Sequence, residues 1–318
     1  MLLTEPIGAD LHRIALAVEE SPLQQSIERT LETREAVGQV IASLQSQAAE
    51  IWQSAGEEVA DYVTRVVRLN RTYGPASEWM PIERILDMPD VQMMLRAPFI
   101  EAAQDVAGLV RQAWEAGASQ GAEGVIQDLA ALGLDVSDLA PQLDVSVLNS
   151  LLADVMNHAA EMTEKFIDVV RLGDPESIAS QLPQVIQNIV WRSGLTIDVS
   201  GTTAMNDAKT SIMEQVAAKY NMQVLKMWVT RFGPGTCDTC AALHGMTVGL
   251  EEEFPDDETF GAKPPKVYVH LNHPPRHPKC RCVVVLYLSW MGTGQGPTPG
   301  TMKKFAKDWF KALKKAGG

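Results

Sequence analysis

The chain has 318 residues, of which 46% are hydrophobic, and it carries a formal net charge of −13. This composition excludes an intrinsically disordered protein, and the negative charge disfavours nucleic-acid binding over most of the surface. The first residues lack the basic and apolar regions of an export signal, and no apolar run reaches the roughly 18–20 residues of a membrane helix. We therefore expect a soluble protein of a reducing, cytosol-like compartment.

Most of the first 200 residues are predicted to form helices. Ser21 and Pro22 supply a helix start, and apolar residues then recur at three-to-four spacing as far as residue 73. That helix either runs unbroken or breaks near Gly56. The prolines within 73–81 and 88–98 favour loops in both segments. The other predicted elements are helices over 99–118, 147–171, 176–193 and 203–220, and a linker or a pair of short helices over 132–146.

After Asn221 the sequence pattern changes to that of short strands. Alternating apolar residues predict a strand over 222–231, and a turn follows at 233–236. GMTVGL, VYVHL and CVVVLYL are further strand candidates, and an acidic, proline-bearing loop covers 251–266. We therefore predict an α+β fold with three parts. These are a mostly α-helical N-terminal region over 1–200, a small C-terminal zinc-knuckle α+β domain over 201–290, and a flexible linker with a basic amphipathic tail over 291–318.

The four cysteines of the chain form two tight pairs. Cys237 and Cys240 have the spacing of a zinc knuckle, in which a turn after a strand brings two thiolates together. Cys280 and Cys282 are expected on one face of an extended segment, and His277 stands three residues before Cys280. Zinc would take four of these five ligands, either all the cysteines or three cysteines and His277. Weaker candidates are His244, His270 and His273.

Other interpretations of the cysteines stay open at this point. The pairs could form disulfides or a redox couple, or remain free thiols. A catalytic metal is a further alternative, because VHLNHPPRH superficially resembles the His-Asn-His metal nucleases and residues 251–258 could supply carboxylates. That nuclease motif requires its second histidine on a helix, which Pro274, Pro275 and Pro278 exclude. We therefore predict a structural zinc ion and no enzymatic activity.

The C-terminal segment combines positive charge with an apolar stripe. Phe305, Trp309 and Leu313 recur every four residues among six lysines. Such a helix can dock in a partner groove, lie on an anionic membrane, bind DNA phosphates or pack on its own domain. The residues predicted to contact a partner protein or DNA are Lys303, Lys304, Lys307, Trp309, Lys311 and Lys314.

The segment from Trp228 to Cys282 resembles a known family of phage proteins. Its tryptophan strand, CDTCAALHG and PPRHPKCRC are similar to the signature of the phage Mu protein F-like head morphogenesis, or minor capsid, proteins. The resemblance covers residues 200–288, because SGTTAMNDAKTSIMEQVAAKY is similar to the helix that this family places before its cysteines. Members often carry an acidic residue before the first cysteine, where this chain has RFGPGT.

The resemblance implies a function in building the head of a tailed phage. It implies a minor head protein that is made in the host cytoplasm and resides in the virion, at the portal vertex or in the head interior. The implied partners are the portal protein, capsid and scaffold proteins and, through the basic tail, packaged DNA, with no small-molecule substrate. The alternatives are a metal-dependent hydrolase that uses the same cysteine and histidine cluster, and an effector delivered with the DNA.

Overall fold

The computed structural model describes residues 22–72, 80–171, 175–233, 236–255, 272–277 and 279–288. Its helices are α1 (Pro22–Thr72), α2 (Ile82–Leu86), α3 (Pro89–Ala131), α4 (Val145–Arg171), α5 (Pro175–Tyr220) and α6 (Asp238–Leu243). Its strands are β1 (Val224–Val229), β2 (Thr247–Gly249) and β3 (Val283–Leu288). The predicted α+β class is therefore confirmed. None of the described helices combines the length and the hydropathy that a membrane span requires.

The long first helix is continuous. As predicted, α1 begins at Pro22, and it does not break at Gly56. A Cβ atom on Gly56 would lie 2.3 Å from Ile186 Cδ1, so the missing side chain makes room for that isoleucine. The glycine therefore serves close packing, which offsets the roughly 1 kcal/mol that glycine costs inside a helix.

Two predictions about helix boundaries are wrong. The segment 88–98 is not a loop, because α3 begins at Pro89, contains Pro98 and continues well beyond residue 118. Leu95 and Phe99 flank this proline and are fully buried, so their packing outweighs the cost of about 3 kcal/mol for a proline inside a helix.

The two helices predicted over 176–193 and 203–220 are in fact one. The observed α5 passes without interruption through Gly194 and Gly201. A Cβ atom on Gly201 would lie 3.1 Å from the carbonyl oxygen of Ala113, so this glycine permits a close approach to neighbouring backbone. Residues 132–144 form no helix, which agrees with the predicted linker.

The chain folds as two compact units, and each unit takes in separate stretches of sequence. The first contains the described residues of 1–37, 116–143 and 202–318, and the second contains those of 38–115 and 144–201. In the second unit Trp52 is fully buried, and its Nε1 donates a hydrogen bond to Ser193 Oγ at 2.9 Å. In the same unit the rings of Phe99 in α3 and Phe166 in α4 pack against each other, with centroids 5.8 Å apart. Aromatic packing therefore contributes to the core of this unit.

In the first unit β1 lies at the centre of an antiparallel sheet of order β2–β1–β3. The strands predicted within 222–231, GMTVGL and CVVVLYL are thereby confirmed, whereas VYVHL lies outside the described residues. The buried ring of Trp228 meets Phe254 edge-on, with centroids 5.1 Å apart. This small core also contains Cys240, Cys280 and Cys282, so the fold places most of the cysteines against the sheet.

The first unit also buries a lysine without a hydrogen-bond partner. Lys209 on α5 is 0% exposed, and its Nζ makes no hydrogen bond within the described part of the chain. Burial lowers the pKa of Lys209 from its ordinary 10.5 to about 7, although the negative charge of Asp128 acts to raise it. Asp128 itself accepts hydrogen bonds from Ser26 Oγ at 2.5 Å and Arg29 Nε at 2.6 Å. Asp128 would therefore remain paired without Lys209.

Replacing Lys209 with methionine is expected to stabilise the protein by about 2 kcal/mol at pH 7. Between pH 7 and 10.5 the unfolded state holds a proton that the folded state has released, so the stability of the natural protein rises with pH across this window. Lys209→Met should remove that rise. The measurement is the free energy of unfolding by denaturant from pH 6.5 to 10. The matched control Lys165→Met, at an exposed position, should keep the rise.

Candidate metal centre

The first cysteine pair stands at the start of α6. Cys237 is the N-cap residue, and its Sγ accepts a hydrogen bond from the backbone N–H of Cys240 at 3.3 Å. The prediction placed this pair in a simple turn, and the structure corrects it to a short helix that runs from Asp238 to Leu243. Gly245 then ends this segment with a φ of 77°, a conformation that glycine adopts at little cost. The first turn of α6 therefore brings the sulfurs of Cys237 and Cys240 close to each other.

The second half of the centre is a turn followed by the start of β3. The N–H of Cys280 donates to the carbonyl oxygen of His277 at 3.0 Å, which closes a four-residue turn. Cys280 and Cys282 are buried, whereas Arg281 between them is exposed. This alternation confirms the expectation that Cys280 and Cys282 share one face of the segment.

The structure brings all five predicted ligands together. His277 Nε2 lies 3.3 Å from the sulfurs of both Cys237 and Cys240. The sulfurs of Cys240 and Cys280 are 3.9 Å apart. Two groups result, each with ligand atoms within 4.8 Å of one another, and Cys240 belongs to both. The groups are Cys237, Cys240 and His277, and Cys240, Cys280 and Cys282.

This donor set fits a metal ion. Thiolate and imidazole ligands are those that zinc binds in tetrahedral sites. All four cysteines are free in the structure, so none of them is joined in the disulfides that the sequence left open. The cysteine and histidine groups are therefore able to hold a metal.

The cysteines differ in their tendency to ionise. Hydrogen bonds with Cys240 and His277 lower the pKa of Cys237 to about 5, although burial opposes this. Hydrogen bonds with Cys240 and Cys282 lower the pKa of Cys280, whereas burial raises the pKa of Cys282. The hydrogen bond with Cys237 raises the pKa of Cys240. Thiolate, the form that binds metal, is thus favoured at Cys237 and Cys280.

Several residues that support the centre were missed by the sequence reasoning. Thr230 Oγ1 donates to the carbonyl oxygen of Cys240 at 2.5 Å and accepts from Cys282 Sγ at 3.5 Å. Arg34 of α1 donates from Nη2 to the carbonyl oxygen of Cys280 at 3.4 Å. No spacing rule connects Arg34 with a residue 246 positions away, so the sequence carries no signal for this contact.

The helix α5 holds the second half of the centre through two adjacent residues. Asn206 Oδ1 accepts a hydrogen bond from the N–H of Val284 in β3 at 2.9 Å. Asp207 Oδ1 lies 2.5 Å from Nε2 of His273, and His273 Nδ1 lies 2.6 Å from the carbonyl oxygen of Pro274. Both ring nitrogens of His273 therefore face oxygen atoms, and the ring is engaged in anchoring the segment that leads to His277.

The weaker ligand candidates do not join the cluster. His273 pairs with Asp207, and His244 accepts a hydrogen bond at Nδ1 from the N–H of Thr230 at 3.0 Å. Burial lowers the pKa of His244, which favours the neutral ring that this contact needs. His270 and the six predicted contact residues of the basic tail lie outside the described residues.

Part of the chain matches a known protein family. Residues 173–285 match the family described as Phage Mu protein F like protein. The matched segment contains α5, β1 and α6 and all five candidate ligands. The resemblance predicted from the sequence is thereby confirmed for this part of the chain. The searches of curated proteins and of solved structures give no match.

Proposed function

We propose that this chain, whose residues 173–285 match the family described as Phage Mu protein F like protein, is a minor head protein of a tailed phage. The observation that carries the proposal is the family match together with the complete cluster of cysteine and histidine ligands. The role is structural, in assembly at the portal vertex or in the head interior. The partners would be the portal, capsid and scaffold proteins.

The metal proposed for the centre is zinc, bound by Cys237, Cys240, His277 and Cys280. Two sulfurs on one tetrahedral zinc ion lie about 3.8 Å apart, and the sulfurs of Cys240 and Cys280 are separated by 3.9 Å. The contacts of 3.3 Å from His277 Nε2 to two sulfurs support its inclusion. Cys282 is the cysteine left out, because its thiol contacts Thr230 in the core instead.

Zinc at this position would stabilise the fold rather than react. The ligands come from the start of α6 and from the segment before β3, two stretches separated by about 40 residues in sequence. The apolar core between them is small, and a closed metal site offsets such a deficit. When bound, the ion supplies a crosslink between these stretches.

The hydrolase alternative finds less support in the site. A hydrolytic metal centre needs a general base close to the ion. The described residues that line the cavity beside Cys237 and His277 include no aspartate or glutamate. A structural ion is therefore the better interpretation of the described centre.

The experiment that tests the assembly role is co-purification with the portal protein of the same phage. Full-length protein and a variant that ends at residue 291 are each co-expressed with the portal protein, and the complexes are isolated by affinity chromatography. Association of the full-length protein supports the proposal, and its loss in the folded shorter variant assigns docking to the basic tail. Absence of the protein from purified virions, measured by mass spectrometry, would contradict the proposal.

A further inference from the structure

A cavity of about 560 Å³ opens at the candidate metal centre, and its lining includes Cys237, Cys240, His277 and Cys282. Its lining also includes Arg231, Lys279 and Arg281, and none of the described residues that line it is acidic. This concentration of positive charge is unusual in a chain with a net charge of −13. A concave site with convergent cations attracts and orients an anionic group.

The backbone at Lys279 gives a second, independent indication of a binding site. Lys279 is the third residue of the turn closed by His277 and Cys280, and its φ is 61°. This left-handed conformation suits glycine at that turn position and is unfavourable for a lysine. Unfavourable backbone conformations are concentrated at functional sites, where a side chain is needed despite the cost. Here the side chain that the turn presents to the cavity is a cation.

From these two observations we infer that the cavity binds an acidic peptide segment of a partner protein. Two of its cations are arginines, whose guanidinium groups pair with carboxylates through two parallel hydrogen bonds. Phe232 adds an apolar contact to the same lining. Arg231 already pairs with a carboxylate, that of Glu35, at 3.2 Å while both side chains stay about half exposed.

A short peptide fits the cavity better than a nucleic acid does. The volume of about 560 Å³ lies within the range of sites for small ligands and is too small to enclose a duplex. A long nucleic acid would also pass over the acidic surface of the protein, whereas a short acidic segment would meet only the cavity. The inference rests on the proposed assembly role only for the source of the peptide, a partner protein of the head.

The test uses the full-length protein and a fluorescein-labelled octapeptide of glutamate residues with one central leucine. We expect Lys279→Gly to weaken peptide binding about threefold and the double variant Lys279→Gly, Arg281→Gln about tenfold, measured by fluorescence anisotropy. Because glycine relieves the unfavourable φ, Lys279→Gly should also raise the midpoint of thermal unfolding by roughly 2–4 °C. A weaker ligand affinity in a more stable protein would separate binding from folding.

The control variant removes two exposed arginines elsewhere on the protein. The double variant Arg84→Gln, Arg111→Gln removes two positive charges, as the double variant of the cavity does, and it should leave peptide affinity unchanged. The basic tail is the same in all variants, so differences among them report on the cavity. Destabilisation of Lys279→Gly would show that the backbone conformation at Lys279 is not unfavourable. Arg281→Gln alone would then provide the second test of peptide binding.

Three results would overturn the inference. One is equal peptide affinity in the natural protein and the cavity variants. Another is a loss of affinity in the cavity variants for a labelled octamer of deoxythymidine but not for the peptide, which would assign the cavity to nucleic acid. The third is an equal loss of affinity for the peptide and for the deoxythymidine octamer, which would show an anion site with no preference for peptides. Each of these results leaves the co-purification test of the assembly role unaffected, since the portal protein can bind at another surface.

Discussion

Replacing Cys240 with alanine is expected to abolish metal binding and to unfold the sheet region of the first unit. Cys240 belongs to both ligand groups, is 2% exposed, and contacts His277 and Cys280 through its sulfur. A structural zinc ion contributes about 10–16 kcal/mol to the folding of a small metal-bound domain, more than the total stability of most domains. Losing one ligand therefore costs far more than the small cavity that alanine leaves.

Metal analysis and hydrogen exchange measure this effect. The natural protein should contain one zinc ion per chain, and Cys240→Ala should contain none, with rapid exchange at the amides of β1 and β3. The matched control is Cys282→Ala, which removes a buried cysteine that we place outside the ligand set and should retain the zinc. If Cys240→Ala kept both its zinc and its slow exchange, the proposal of a structural ion would be wrong. Loss of zinc in Cys282→Ala would show that Cys282 is a ligand, either in place of Cys280 or in addition to it.

Replacing Gly121 with alanine is expected to lower the stability of the first unit by about 3 kcal/mol or more. A Cβ atom at this position of α3 would lie 2.2 Å from the carbonyl oxygen of Met205 in α5. Both partners are helix backbone, so neither can turn away as a flexible side chain would. The two helices would have to separate, and the packing between them would be lost.

A second glycine of α3 is the natural control. A Cβ atom on Gly108 would meet nothing within 4 Å, and this position lies in the same helix. Gly108→Ala should therefore stabilise the protein by about 0.5–1 kcal/mol through helix propensity alone. Hydrogen exchange at amides near each substitution measures both effects. A stabilising Gly121→Ala would show that the helices do not approach as closely as described.

The elements that the sequence predicted well are those with a strong local signal. The start of α1 at Pro22 and the strand within 222–231 follow from proline geometry and from alternation of apolar residues. The errors came where packing overrode a local signal. Pro98 stands inside α3, and α5 passes through Gly201, because buried neighbours compensate for residues that weaken an isolated helix.

The candidate ligands were predictable for a different reason. Cysteine and histidine at short, fixed spacings leave few alternatives for the chemistry of Cys237, Cys240 and Cys280. The supporting contacts were not predictable in this way. Arg34 reaches Cys280 from α1, and Asp207 reaches His273 from α5, so these pairs depend on how distant segments pack.

The sequence by itself therefore predicted the α+β fold class, most of the helical and strand regions, and the donor atoms of a candidate metal centre. These properties depend on residue type and on spacing within a few positions along the chain. Only the tertiary structure decided that His277 contacts both Cys237 and Cys240, that Cys282 turns to Thr230, and that the cations near Cys280 line one cavity. Such relations depend on distances across the fold, which are set by the packing of segments far apart in sequence.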